Sequence, residues 1–148
     1  MTTEKNTIRI IEAFDKISKV FASMESLVGD ISLSKPELLA LESISKQKEL
    51  IMSKLAKNLG VGFSTATSII DRLIEKKLVV RERNHGDRRV VKVSLSKRGK
   101  EIVSAYQEQK KKSFKKMIDV LTESEQETFV LVWEKIANEI QKGDEGRI

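Results

Sequence analysis

Residues 52–95 read MSKLAKNLGVGFSTATSIIDRLIEKKLVVRERNHGDRRVVKVSL, and the hydrophobic period changes within them. Met52 to Leu59 has helical spacing and stops at Gly60, a residue suited to the left-handed turn that ends a helix. Val61 and Gly62 then make a tight connection to a second helix, from Phe63 to about Lys77. Two helices joined by a short glycine-containing turn predict a helix-turn-helix, although any helical hairpin shares that signal. Leu78 to Arg83 and Val90 to Leu95 are rich in valine and alternate in part, with Asn84, His85, Gly86, Asp87, Arg88 and Arg89 between them. That pattern predicts a β-hairpin with a polar tip. A hairpin after a helix-turn-helix is a wing, and an arginine pair at its exposed tip has no packing purpose.

On the helix that starts at Phe63, Ala66, Ile69, Ile70, Leu73 and Ile74 fall on one side and face the core. Ser64, Thr65, Ser68, Asp71, Arg72 and Glu75 fall on the other. The small hydroxylated residues of its first half let a backbone approach the major groove closely and touch base edges or phosphates. The candidate recognition residues are therefore Phe63, Ser64, Thr65, Thr67, Ser68 and Arg72. Arg72 is the one cation on this face able to fork onto a guanine; it could equally bind phosphate or pair with Asp71 or Glu75. The methyl groups of Thr65 and Thr67 suit thymine, and a wing arginine, Arg88 or Arg89 beside Asp87, suits a narrow minor groove, so an A·T-rich operator is expected. Lys54, Lys57, Lys77, Arg81 and Lys97 flank these elements as candidate phosphate contacts. Each contact adds about 0.9 to the negative salt slope of log affinity on B-DNA. Lys110, Lys111, Lys112, Lys115 and Lys116 stand apart and read as solvated.

Upstream, Ile10, Phe14, Ile17, Phe21, Met24, Val28 and Ile31 step by four and three, one apolar stripe of a long helix ending near Gly29 and Asp30. Ser34 to Glu37 is a capping box with Pro36 in the first turn, which starts a helix carrying Leu38, Leu41 and Ile44 inward. Downstream, a helix from Lys97 to Leu121 is polar on every face between Gln107 and Ser113, the pattern of a rod between two lobes. Thr122 to Glu125 is a second capping box and opens a last helix. Its run Phe129 to Trp133 is apolar all round, more than its own chain can cover. Ile10, Phe14, Ile17, Phe129, Val132, Trp133, Ile136 and Ile140 are thus candidates for a seam between two subunits, with packing inside one subunit as the alternative. The expected fold is mainly α with a small β-hairpin wing. It comprises a winged helix-turn-helix lobe over 33–96 and a helical dimerisation region from 1–32 and 97–148.

A chain of 148 residues can bury a core without disulfides or metal. Charged residues make up 34% and the formal net charge is +6, compatible with a polyanionic partner; the clustering of cations around the helix-turn-helix and wing strengthens that reading. The absence of cysteine excludes disulfides, thiolate catalysis and thiol redox sensing. With His85 as the single histidine no His-based metal cluster can assemble, so no metal or other cofactor is expected. The first sixteen residues mix charges into their apolar positions, so neither a signal peptide nor a membrane span is expected, and a cytoplasmic location follows.

At DRRVVKVSLSKRG, residues 87–99, the sequence resembles the MarR family of bacterial transcriptional regulators, in whose wing signature Asp87, Arg89, Leu95 and Ser96 take the places of Asp, Arg, Leu and Thr. The serine keeps a hydroxyl to cap the next helix. Residues 53–83 are also similar to the family at Leu55, Ala56, Leu59, Asp71, Arg72, Leu73, Lys76, Leu78, Val79 and Arg81. The resemblance implies a triangular homodimer on double-stranded DNA, with Arg89 in the minor groove held by an ion pair to Asp87. It also implies a repressor of a palindromic operator, released in many members by an anionic phenolic or lipophilic effector. An effector site would lie between the lobes near Met24, Leu27, Leu38 and Tyr106, all four of which would equally serve as core. Lys77 replaces the glycine that usually ends the recognition helix, and Ile51 replaces a capping Ser or Thr.

A sequence-specific regulator is the leading function class. A non-specific architectural DNA binder is the alternative, and a partner-binding module using the apolar C-terminal helix is a third. No glycine-rich phosphate loop or nucleophile–histidine pair supports an enzyme.

Overall fold

The computed structural model describes residues 1–25, 27–28, 31–87 and 90–146, with the side chains of all but 23–25, 27–28 and 145. Its elements are α1 (Thr2–Glu25), β1 (Leu27–Val28), β2 (Ile31–Ser32), α2 (Lys35–Ser45), β3 (Leu50–Ile51), α3 (Met52–Leu59), α4 (Phe63–Glu75), β4 (Val79–Arg83), β5 (Val91–Leu95), α5 (Lys97–Ile118) and α6 (Glu123–Glu145). This is the mainly helical chain with a small antiparallel hairpin that the sequence predicts. It divides into two compact units, Met1–Glu108 and Gln109–Ile148, with the boundary inside α5.

In the first unit α2 begins where its capping box directs. Ser34 Oγ accepts from Glu37 N–H and Glu37 Oε2 accepts from Ser34 N–H, both at 3.3 Å, with Pro36 in the first turn. Leu38, Leu41 and Ile44 of α2, Leu55 of α3, and Ala66, Ile70 and Leu73 of α4 close a core with Leu50 and Val93. Each such leucine or isoleucine contributes about 1.5–3 kcal/mol on burial. Ile102, Val103 and Tyr106 bring the start of α5 onto the same core. Gly60 ends α3 at φ +66°, its N–H bonded to carbonyls of α3, and the chain turns through Val61 and Gly62 into α4.

The sheet has three strands in the order β3-β5-β4, one more than the sequence reading assigns. Leu50 and Ile51 pair antiparallel with Val93 and Lys92. A strand of two residues has no period of its own to read. It also explains the uncapped start of α3: Ile51 makes no side-chain cap, and the backbone before the helix is held by the sheet instead. On the other edge of β5, β4 pairs from Val79↔Leu95 to Arg83↔Val91, projecting the hairpin.

α1 ends at Glu25, short of the predicted stop near Gly29 and Asp30, and Ile31 belongs to β2. Val28 pairs with Ile31 and Leu27 with Ser32, antiparallel. The last steps of the apolar stripe are thus strand residues, because β-branched residues flanking a Gly-Asp pair suit a hairpin better than a helix.

Ser96 opens α5 by accepting from Gly99 N–H at 3.0 Å. A Cβ at Gly99 would collide with the Leu78 carbonyl oxygen, so α5 can approach the head of β4 only with glycine there. In the second unit α5 ends at Ile118 rather than Leu121, and Ser113, read as part of a wholly polar segment, is buried. Thr122 and Glu125 form the predicted capping box of α6. Gln126 Nε2 donates to the carbonyls of Ile118 and Leu121, satisfying acceptors left by the end of α5. Among the described residues no helix is long and apolar enough to cross a membrane.

Candidate nucleic-acid interface

Helix α4 is two-sided. Ala66, Ile69, Ile70 and Leu73 are buried, which fixes its roll, and Ser64, Thr65, Ser68, Asp71, Arg72 and Glu75 are exposed. Phe63 stands more than half exposed at its start. Thr67 Oγ1 donates to the Phe63 carbonyl at 3.0 Å and Ser68 Oγ to the Ser64 carbonyl at 3.1 Å, so these hydroxyls keep their lone pairs available while lying close to the helix. A cleft of about 390 Å³ opens between α4 and the hairpin, lined by Met52, Phe63, Thr67, Arg81, Arg83 and Val91. A lining that combines Met52, Phe63 and Val91 with two arginines suits a sugar-phosphate chain.

The far end of α4 is held by ions. Arg72 pairs with neither Asp71 nor Glu75, the neighbours that the sequence offers. Its Nε donates to Glu37 Oε1 at 3.1 Å, and Lys76 Nζ donates to Glu37 Oε2 at 2.7 Å. Asp71 instead takes Arg81 of β4, Nη1 to Oδ1 at 2.6 Å, which ties α4 to the hairpin. The Glu37 carboxyl titrates below the usual range: burial pushes it up, but the Lys76 hydrogen bond and charge, the Ser34 N–H and Arg72 outweigh that. Glu37 thus belongs to the site although the sequence reading singles it out only as a cap. A signal was present: Glu37, Leu41 and Ile44 share one face of α2, and a carboxylate on a core face requires a cation.

Lys77, just past α4, adopts φ +62°, the left-handed conformation that its replacement of glycine demands. Lys54, Lys57, Lys77, Arg81 and Lys97 are all exposed. At the hairpin tip Asn84 Oδ1 accepts from Gly86 N–H at 3.1 Å, and Asp87 is exposed. Arg88 and Arg89, with the expected Asp87–Arg89 ion pair, lie outside the described residues. So do the side chains of Met24 and Leu27 of the expected effector crevice; its other members, Leu38 and Tyr106, are packed in the core of the first unit.

The seam candidates divide between the units. Ile10, Phe14 and Ile17 of α1 are exposed, as are Val132, Trp133, Ile136 and Ile140 of α6; Phe129 is partly covered, its ring 5.0 Å from that of Trp133. Among the described residues no group of three or more His, Cys, Asp or Glu is placed to hold a metal ion.

The sequence pattern of the MarR family matches residues 33–91. The chain is 28% identical over 123 residues to the helix-turn-helix-type transcriptional regulator YpoP of Bacillus subtilis (strain 168), covering 81% of this chain and 87% of YpoP. Over 63 residues it is 38% identical to the helix-turn-helix-type transcriptional repressor MdtR of the same organism, 43% of this chain and 41% of MdtR. Its fold matches that of Streptococcus pneumoniae FabT, solved in complex with DNA, with a TM-score of 0.83 at 26% identity, over 92% of this chain and 98% of the FabT chain.

Proposed function

This chain belongs to the MarR family of DNA-binding helix-turn-helix transcriptional regulators, and on that premise we propose that it is a homodimeric repressor of a palindromic, A·T-rich operator. The family is one of regulators rather than enzymes. One observation carries the reading: the exposed stripe Ser64, Thr65, Ser68 lies on a helix whose opposite side is locked into the core, beside a hairpin bearing Arg81 and Arg83. Such a stripe suits a helix entering the major groove, its N-terminal residues on base edges. The wing tip, Asp87, Arg88 and Arg89, then takes the adjacent minor groove, and Lys54, Lys57, Lys77 and Lys97 take phosphates.

Apolar faces support the dimer. Ile10, Phe14 and Ile17 on α1, and Val132, Trp133, Ile136 and Ile140 on α6, face water in the single chain, and faces of this kind are usually covered by a partner. In this reading residues 33–96 form the reading lobe, and 1–32 with 97–148 form the region that a second copy covers. Two reading helices then sit one helical turn apart, about 34 Å. The protein acts where the bacterial chromosome is, in the cytoplasm. Release by an anionic or lipophilic effector belongs to the same reading; at Leu38 and Tyr106 it would have to open core contacts, since both are buried.

Selection of bound duplexes from a random library, with light scattering of the free protein, tests the proposal. A symmetric A·T-rich motif with half-sites one turn apart, bound by a dimer, is the predicted result. An asymmetric or absent motif, loss of the target to excess random duplex, or a monomer at micromolar concentration would contradict it.

A further inference from the structure

Glu37 is the buried charge among the described residues, with 4% of its side chain exposed. It sits in the first turn of α2, yet both its oxygens are engaged by the last turns of the reading helix, at Arg72 Nε and Lys76 Nζ. Lys76 Nζ also donates to the Ser32 carbonyl at 3.1 Å, bracing the cluster against β2. A buried ion pair is weak evidence for stability, because an apolar side chain in its place is often as good or better. A carboxylate beside Leu41 and Ile44 therefore leaves room for a task besides capping α2 and stabilising the fold.

Arg72 is gripped through Nε, and no described residue bonds its two Nη nitrogens, on a side chain that is 51% exposed. It continues the line of Ser64 and Ser68 at four-residue steps. Nine residues beyond the start of α4, it stands about 13 Å along the axis, farther than the roughly 8.5 Å depth of the major groove. A helix that enters N-terminus first brings Arg72 to the lip of the groove, where the phosphates run.

We infer that Glu37 is a positioning residue for DNA binding: by holding Arg72 through Nε, it presents the free edge of the guanidinium to a backbone phosphate at the groove lip. Lys76 balances the carboxylate, leaving two cations to one anion, so the cluster attracts the phosphate. The inference rests on the reading of α4 as the DNA-entering helix.

Wild type, Glu37→Gln, Arg72→Gln and the double variant are titrated on a selected operator and on random duplex across a range of salt. Glutamine can still accept from Ser34 N–H, which preserves the cap. Net charge alone predicts that removing a carboxylate tightens binding to DNA; the buttress predicts the reverse. Glu37→Gln should weaken both duplexes by about tenfold, reduce the salt slope by about one, and cost nothing further once Arg72 is glutamine. Unchanged or tighter binding by Glu37→Gln, or losses that multiply in the double variant, would overturn the inference. Arg72→Lys leaves Glu37 intact and tests the same point should Glu37→Gln fail to fold. A lysine held by Glu37 has no second edge to offer, so it should bind as weakly as Arg72→Gln, and wild-type affinity would overturn the inference. A wild-type protein that binds neither duplex would remove the reading of α4 itself.

Discussion

The Ser96 hydroxyl donates to the carbonyl of Lys77 at 2.7 Å, so one side chain joins the end of α4 to the start of α5. The same oxygen accepts from Gly99 N–H, and the Ser96 N–H reaches the Leu78 carbonyl. Three short bonds thus anchor the end of α4 to the start of α5. Ser96→Ala removes a cap and strands a carbonyl, a loss of about 1–2 kcal/mol in urea unfolding, and Ser96→Thr should recover most of it. An alanine variant as stable as wild type would contradict this.

Lys77 holds a left-handed backbone at φ +62°. For a residue with a Cβ that conformation costs roughly 1–2 kcal/mol, which glycine avoids while losing more unfolded-state entropy. Lys77→Gly should therefore gain about 0.5–1 kcal/mol of stability. With Lys77 on a phosphate as proposed, the same change should also weaken DNA binding and lower the salt slope by about 0.9. Denaturant titration and binding isotherms on one preparation would separate the two effects.

Glu37 makes stability pH-dependent in a definite direction. Its carboxyl titrates below the ordinary glutamate value because Lys76, Ser34 N–H and Arg72 outweigh the burial that would raise it. A lowered folded pKa means that the charged form favours the folded chain. The stabilisation is complete above the unfolded pKa of about 4.3 and is lost as pH falls through the lower folded value. The stability difference between wild type and Glu37→Gln should be constant near neutrality and shift against wild type on acidification below about pH 4. A difference that stays flat down to acid unfolding would show that the carboxylate is not the charged partner of Arg72 and Lys76.

What could be read in the sequence was local. The boxes at Ser34/Glu37 and Thr122/Glu125, the stop at Gly60 and the sidedness of α4 depend on residues within a turn or two of each other, and each appears in the structure where the spacing puts it. The rest depends on distant partners. For Arg72 the sequence offers a guanine, a phosphate, or its neighbours Asp71 and Glu75, while its partner in the structure is 35 residues away on α2. β3 is recognisable only through its pairing with β5, and α1 stops early where Leu27 and Val28 find a partner strand in Ile31 and Ser32. The exposed stripe of α4 needed only the period of one helix; the ion cluster at its far end needed the fold.

In the proposed complex the Ser64–Ser68 face of α4 enters DNA. Ser64→Glu and Ser68→Glu place a carboxylate on that face, and Ser124→Glu places the same charge on the exposed first turn of α6. Operator affinity of the three variants, measured beside their melting temperatures, is the most direct test. Losses of about a hundredfold or more are expected at Ser64 and Ser68, from repulsion by phosphates at close range, with melting unchanged and Ser124→Glu close to wild type. Equal affinity in all three would contradict it.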